Sequence, residues 1–264
     1  MKKLGLLGKN ISYSLSKQLH EMISSINNLS LDYQVYDVNE HELITYVEGL
    51  KSGKYHGFNV TIPYKETIIK YIDELTDNAK KIGAVNTIYF KDGRVIGDNT
   101  DYAGFDYLMN KHKVLEENPK TIYILGSGGA AKTVYTWFKN HHISPTIVSR
   151  STNIQYLYED VITYHQYEGI KVVDLLINCT PVGTYPDNSS PIKGANQTIK
   201  MVVDLIYNPK HTKTMSYAKR SVGGMEMLIY QAIQSERIWH SKELKEDEKT
   251  IKTIMEVLYN ELNR

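Results

Sequence analysis

Hydrophobic positions along this chain switch between two patterns: one near 3.6 residues, which lines up a helical face, and the short runs or two-residue alternation of strands. Leu4 to Leu7 is a continuous apolar run and predicts a short buried strand. Leu15, Leu19, Met22, Ile23 and Ile26 then recur at helical spacing, predicting a helix over about 14–27. Leu31 to Val38 alternates like a strand, and 41–51 reads as a helix ended by Ser52-Gly53. Gly57 to Ile62 predicts a strand, with Pro63 opening the next helix where a missing N–H costs little. Asn86 to Phe90 and Arg94 to Gly97 predict a hairpin turned at Asp92-Gly93.

Asp101 to Lys113 predicts a connecting helix, followed by the polar stretch Glu116 to Lys120. A second series of strands is predicted at Thr121 to Leu125, Thr146 to Val148, Val161 to Tyr164, Asp174 to Asn178 and Met201 to Leu205. From Met225 onward the pattern is helical. Strands alternating with helices imply an α/β protein with largely parallel sheets covered by helices.

A length of 264 residues suits two modest α/β domains or one large one. A net charge of +1 gives no attraction to nucleic acid or to an acidic membrane surface, so neither is an expected partner. The single cysteine, Cys179, excludes an internal disulfide and reads as a packing residue at a strand end. The apolar run in MKKLGLLGKN stops at Lys9, too short for a signal peptide, and no stretch approaches the ~20 apolar residues of a membrane span. A cytoplasmic protein is expected. The nine histidines form no H-E-x-x-H or Cys/His cluster, so no metal is expected, and His141-His142 read as carbonyl caps at a helix end.

Candidate chemistry begins where strand 121–125 runs into Gly126-Ser127-Gly128-Gly129-Ala130-Ala131 and then a helix. This is the G-x-G-x-x-G/A pattern in its required setting. The glycines let backbone approach a pyrophosphate, and the helix N-terminus offers free N–H groups to that anion. The same residues also serve as a plain turn packing a helix on a sheet. At the end of the next strand, Val148-Ser149-Arg150-Ser151 lacks the acid that binds the ribose 2′-hydroxyl of NAD. Arg150 instead suits a 2′-phosphate, which favours NADP(H) as the cofactor, unless it is simply a surface arginine.

In the first hundred residues several polar motifs each have a structural explanation when taken alone, but not together. Ser14 and Ser16 are ordinary helix caps, or two hydroxyls beside free N–H groups that make a carboxylate site. Lys65, in Asn59-Val60-Thr61-Ile62-Pro63-Tyr64-Lys65, reads by itself as a solvated surface lysine. Asp101, after Asn99-Thr100, reads by itself as a helix N-cap.

Taken together, the chain resembles the shikimate dehydrogenase family over almost its whole length. The matching segments are Ser14-Leu15-Ser16, NVTIPYK (59–65), GAVNT (83–87), NTDYAGF (99–105), GSGGAAK (126–132), NCTPVG (178–183), DLIYNP (204–209) and MLIYQA (227–232), in the family's order and spacing. The resemblance implies two α/β domains, a substrate-binding domain (1–102 and 226–264) and a Rossmann-type NADP-binding domain (103–225), with the active site in a cleft between them. It implies reversible NADPH-dependent reduction of 3-dehydroshikimate to shikimate, with Lys65 and Asp101 as the catalytic pair. Ser14, Ser16, Thr61, Asn86, Tyr207 and Gln231 would bind substrate. Gly126, Ser127, Gly128, Gly129, Ala130, Ser149, Arg150, Ser151, Thr180, Gly224 and Met227 would contact the cofactor. The expected partner is the small-molecule substrate, with the chain a monomer or homodimer. The alternatives are a quinate/shikimate dehydrogenase of broader specificity and a non-catalytic NADP-binding regulator; retention of both Lys65 and Asp101 argues against the latter. The chain departs from the family pattern at Asn10, Tyr13, Lys17, Glu21, Tyr102, Ile154 and Glu226, the last where a glycine is common beside the nicotinamide.

Overall fold

A computed structural model of the chain describes residues 1–12, 14–154, 157–194 and 196–262; Tyr13 lies outside the described residues. The chain divides into two compact units, Met1–Gly104 with Ile229–Arg264, and Phe105–Leu228.

The first unit begins β1 (Lys2–Gly8), α1 (Ser16–Ile26), β2 (Leu31–Asp37), α2 (Leu43–Lys51) and β3 (Gly57–Val60), then β4 (Glu74–Leu75), α3 (Asp77–Ile82), β5 (Thr87–Lys91) and β6 (Arg94–Asp98). Its six strands lie in the order β2-β1-β3-β5-β6-β4. The pairs of β1 with β2 and with β3 are parallel, whereas β3–β5 and β5–β6 are antiparallel, so this sheet is mixed. The antiparallel β5–β6 pair is joined by the hairpin at Asp92 (φ 50°) and Gly93 (φ 79°), two left-handed residues that match the right-handed twist of paired strands. Both faces of the sheet are buried, which is why β1 carries the unbroken apolar run Leu4 to Leu7. Leu7, Phe58, Val60 and Ile88 pack with Leu43, Val47 and Leu50 of α2 on one side. Leu4, Leu6, Ile11, Tyr33 and Trp239 form the cluster on the other.

Pro63 does not open a helix. The N–H of Tyr64 bonds to the carbonyl of Thr61 at 2.8 Å, closing a turn with Pro63 inside it, and only a short 3-10 helix follows at Thr67–Tyr71. The apolar residues here, Tyr64 and Ile68, reach the core from this irregular segment. Helix α3, absent from the sequence reading, is capped by Thr76, whose hydroxyl accepts from Ala79 N, and ends at Gly83 with φ 69°.

The chain leaves the first unit within α4 (Asp101–Lys111). The second unit continues with β7 (Ile122–Leu125), α5 (Gly129–Asn140), β8 (Thr146–Ser149), β9 (Val161–Thr163), α6 (Tyr164–Glu168), β10 (Val172–Asn178), β11 (Thr198–Asp204) and β12 (Ala218–Gly223). The strand order is β12-β11-β10-β7-β8-β9, all parallel. Read from the far edge this is the doubly wound order 3-2-1-4-5-6, with its switch point between β7 and β10. Strand β12 was not expected, because Ala218 to Gly223 carries Lys219, Arg220 and Ser221; as an edge strand it pairs on one side only. Helix α7 (Met225–His240) returns the chain to the first unit, and α8 (Glu248–Leu262) follows.

Candidate active site

Lys65 and Asp101 lie 36 positions apart, yet Lys65 Nζ is 2.5 Å from Asp101 Oδ2. Both side chains are mostly shielded, at 20% and 12% exposure, so Lys65 is no freely solvated lysine. Asp101 is not the cap of α4 either. Asn99 Oδ1 accepts the N–H of Tyr102 at 3.3 Å, leaving the Asp101 carboxylate for Lys65 and for Asn86, whose Nδ2 donates to Oδ1 at 3.0 Å. Asn86 is held from both ends. Its Oδ1 accepts the Thr100 N–H at 2.7 Å, and its Nδ2 also reaches Thr100 Oγ1 at 2.9 Å and Gln231 Oε1 at 3.3 Å. The turn before β5, the start of α4 and the middle of α7 thus converge on one amide.

The network extends beyond the residues anticipated. Thr87 Oγ1 and Thr100 Oγ1 lie 2.9 and 3.1 Å from Ser235 Oγ, and Asn59 Nδ2 donates to Ser235 Oγ at 2.9 Å. Ser235 sits four residues after Gln231 on the same helical face, a spacing that was the available signal for it. Thr100 was quoted only as part of a motif. All of these polar groups are buried and bonded, the condition for a polar network to rigidify rather than destabilise a core.

Ser14 and Ser16 stand at the start of α1, but the cap position is Leu15, which offers no side-chain bond. Ser14 Oγ accepts the N–H of Ser16 at 3.2 Å and lies 2.9 Å from Ser16 Oγ, so the hydroxyls form a pair at the head of the helix. Thr61 is half-buried at the end of the segment following β3, in the turn that also positions Lys65.

In the second unit the glycine turn lies between β7 and α5, as the pattern predicts. Gly126 has φ 99°, where a side chain is strained, and a Cβ there would meet Thr180 Cγ2 at 3.1 Å. Thr180 comes from the end of β10, so the two strands of the switch point meet at this turn. Gly128 faces open space and is the N-cap of α5, with no side-chain cap. The helix head therefore carries unsatisfied N–H groups with room in front, which fits a pyrophosphate. Ala130, in the first turn, is half-buried. Ser127 Oγ lies 3.4 Å from Ser149 Oγ, and after buried Ser149 come Arg150 and Ser151, both exposed. Ile154, where a lysine is common, brings no charge to this region.

Thr180 is fixed through Asn178, whose Oδ1 accepts its hydroxyl at 2.7 Å, and Asn178 Nδ2 donates to Asp204 Oδ1 at 3.0 Å. Burial pushes the Asp204 carboxyl up, against hydrogen bonds from Thr212, Ile206 N and Asn178. Burial and the nearby Asp204 also raise the Cys179 thiol, which fits a packing role rather than a reactive one. Gly224 is required sterically: a Cβ would fall 2.1 Å from the Leu205 carbonyl oxygen. Met227 is buried in the first turn of α7, and Tyr207 is half-buried after β11. Glu226 pairs with Lys111 Nζ at 2.9 Å and with His112. Burial pushes its carboxyl up, but these two partners outweigh burial and leave it below its ordinary value. The Glu226 carboxylate is thus held by two partners at the end of α4.

Comparison with known proteins agrees with this architecture. Residues 6–88 match the shikimate dehydrogenase substrate binding domain. A shikimate dehydrogenase (NADP(+)) of Clostridium beijerinckii is 36% identical over 99% of both chains. The crystal structure of shikimate dehydrogenase 1 from Peptoclostridium difficile superposes with TM-score 0.88 at 33% identity, covering 99% of each chain. A shikimate dehydrogenase solved in complex with NADP+ superposes with TM-score 0.83 at 30% identity, covering all of this chain and 96% of the other. The fold is that of a two-domain α/β oxidoreductase. The chain belongs to the shikimate dehydrogenase family.

Proposed function

We propose that this chain catalyses the reversible NADP-dependent conversion of shikimate to 3-dehydroshikimate. Lys65 and Asp101 are its catalytic pair, the first unit binds substrate and the second binds NADP. The observation that carries this reading is the 2.5 Å contact of Lys65 Nζ with Asp101 Oδ2 inside a buried network that no packing requirement explains.

Bound NADP(H) supplies or takes up the hydride. Reducing a ketone places negative charge on its oxygen, and the Lys65 ammonium is the group able to donate a proton there and to stabilise that charge. Asp101 holds the ammonium in place while Asn86 orients Asp101. Gln231, Asn86 and Thr61 offer amide and hydroxyl groups to the ring hydroxyls, Tyr207 adds a phenol, and the serine pair takes the carboxylate. At the second unit, Gly126, Ser127, Gly128, Gly129 and Ala130 receive the pyrophosphate, with Ser149, Arg150 and Ser151 at the 2′-phosphate. Thr180, Gly224 and Met227 face the rest of the nucleotide.

The test is the absorbance of NADPH formed from NADP by the purified chain, with shikimate or quinate as the alcohol. Turnover with shikimate and NADP is expected. Comparable turnover with quinate would make it a broader quinate/shikimate dehydrogenase, and none with either would overturn the reading in favour of an NADP-binding regulator.

A further inference from the structure

Beneath α1 lies a buried charged cluster that the reaction above does not use. His20 and Glu236 are 1% and 0% exposed. His20 Nδ1 lies 2.6 Å from Glu236 Oε1, and His240 Nε2 lies 3.1 Å from the other oxygen without good hydrogen-bond alignment. A carboxylate so far from water is costly unless paired. Burial pushes Glu236 up, but His20 and His240 outweigh it and hold the carboxyl below its ordinary value. A site whose only duty is packing is filled more cheaply by an apolar side chain.

The placement of the pair suggests another duty. His20 is one helical turn beyond Ser16 on α1, so the two share a face. Glu236 is on α7, five residues after Gln231. The imidazole of His20 also stacks on Tyr33, with ring centres 4.2 Å apart and 10° between planes. The Tyr33 hydroxyl donates to Asn59 Oδ1 at 2.8 Å and hydrogen-bonds with the Ser16 side chain. One buried contact therefore ties the helix headed by the serine pair to the helix that carries Gln231, with Tyr33 packed against it.

We propose that Glu236 is a positioning residue: through His20 it locks α1 to α7 and so sets the span between Ser16 and Gln231, which grip the carboxylate and the ring hydroxyls of the substrate. This rests on the function proposed above. Loosening the lock weakens a two-point grip without touching the reacting atoms or the nucleotide turn.

The decisive variant is His20→Phe/Glu236→Leu, which replaces the imidazole and the carboxylate of the 2.6 Å contact with apolar groups of similar bulk, a change of the kind that proteins commonly tolerate in stability. The KM for shikimate is expected to rise about tenfold, the worth of a hydrogen bond to a charged group, with kcat and the KM for NADP within about threefold of wild type. Glu236→Gln, which keeps an acceptor for His20, is expected to stay within about twofold in shikimate KM, and it supplies the comparison should the double variant fold poorly. A double variant with unchanged shikimate KM overturns the proposal. So does one whose NADP KM and kcat shift by the same factor, or a Glu236→Gln chain as impaired as the apolar pair. A wild-type chain that neither binds nor oxidises shikimate overturns the functional reading as well, whereas normal wild-type turnover beside an unaltered double variant sinks this inference alone.

Discussion

The buried polar network of the first unit and the glycine turn of the second are built in opposite ways. The turn is contiguous: Gly126 to Ala131 joins β7 to α5, and its chemistry is backbone geometry, a positive φ at Gly126 and free N–H groups at a helix head. The network is assembled from side chains at positions 59, 65, 86, 87, 100, 101, 231 and 235, which reach inward from β3, the turn after it, the entry to β5, the start of α4 and the middle of α7. A site made of backbone tolerates side-chain change and fails when a Cβ is forced into it. A site made of interlocked side chains tolerates little and fails in steps set by distance from the reacting atoms.

That contrast orders the expected effects of substitution. Lys65→Ala is expected to lower turnover with shikimate by ~10²-fold or more, the low end for loss of an acid–base group, while the chain still binds NADP in a fluorescence titration. Arg150→Ala should raise the KM for NADP by about tenfold, through loss of charge-assisted hydrogen bonds to the 2′-phosphate, and leave the KM for NAD nearly unchanged. Equal changes for both nucleotides would remove Arg150 from the 2′-phosphate site. Gly224→Ala acts on stability: its Cβ would meet the Leu205 carbonyl oxygen, overpacking that costs about 1–3 kcal/mol, seen as a lower Tm.

The smallest effect belongs to Asp174, a strut at the opposite end of β7 from the glycine turn. Its carboxylate accepts the N–H groups of Lys120 at 2.8 Å and Thr121 at 2.9 Å and pairs with Lys200 at 2.7 Å. The Lys200 ammonium and these N–H groups hold its carboxyl far below the ordinary carboxylate range. A group with a lowered folded pKa stabilises above its unfolded value, about 3.9, and loses that contribution as pH falls toward the folded value. Asp174→Asn should therefore lower Tm slightly at neutral pH, and the gap from wild type should narrow as the pH drops below about 4. A gap independent of pH would refute this.

The same contrast decided what could be read from residues alone. The glycine turn was legible because strand, turn and helix are neighbours in the chain and the φ that Gly126 needs is written in its identity. The hairpin at Asp92-Gly93 was legible for the same reason. Lys65 and Asp101, by contrast, each had a bland local reading, and only a family resemblance paired them; a 2.5 Å contact across 36 positions has no periodicity to betray it. Ser235, Tyr33 and the His20–Glu236 pair went unread because a polar residue on an apolar face signals burial only once its partner is known. Pro63 misled in the other direction: it follows a strand and precedes apolar residues at helical spacing, yet the bond from Tyr64 N to Thr61 O closes a turn there.

The central claim is that Lys65 and Asp101 act as one unit on the substrate. Turnover of Lys65→Ala, Asp101→Ala and the double variant, each with saturating shikimate and NADP, tests this most directly. Groups that act together are expected to give a double variant no slower than the worse single one, within about threefold. Losses that multiply, so that two ~10²-fold defects compound to ~10⁴, would show two independent side chains and contradict the account.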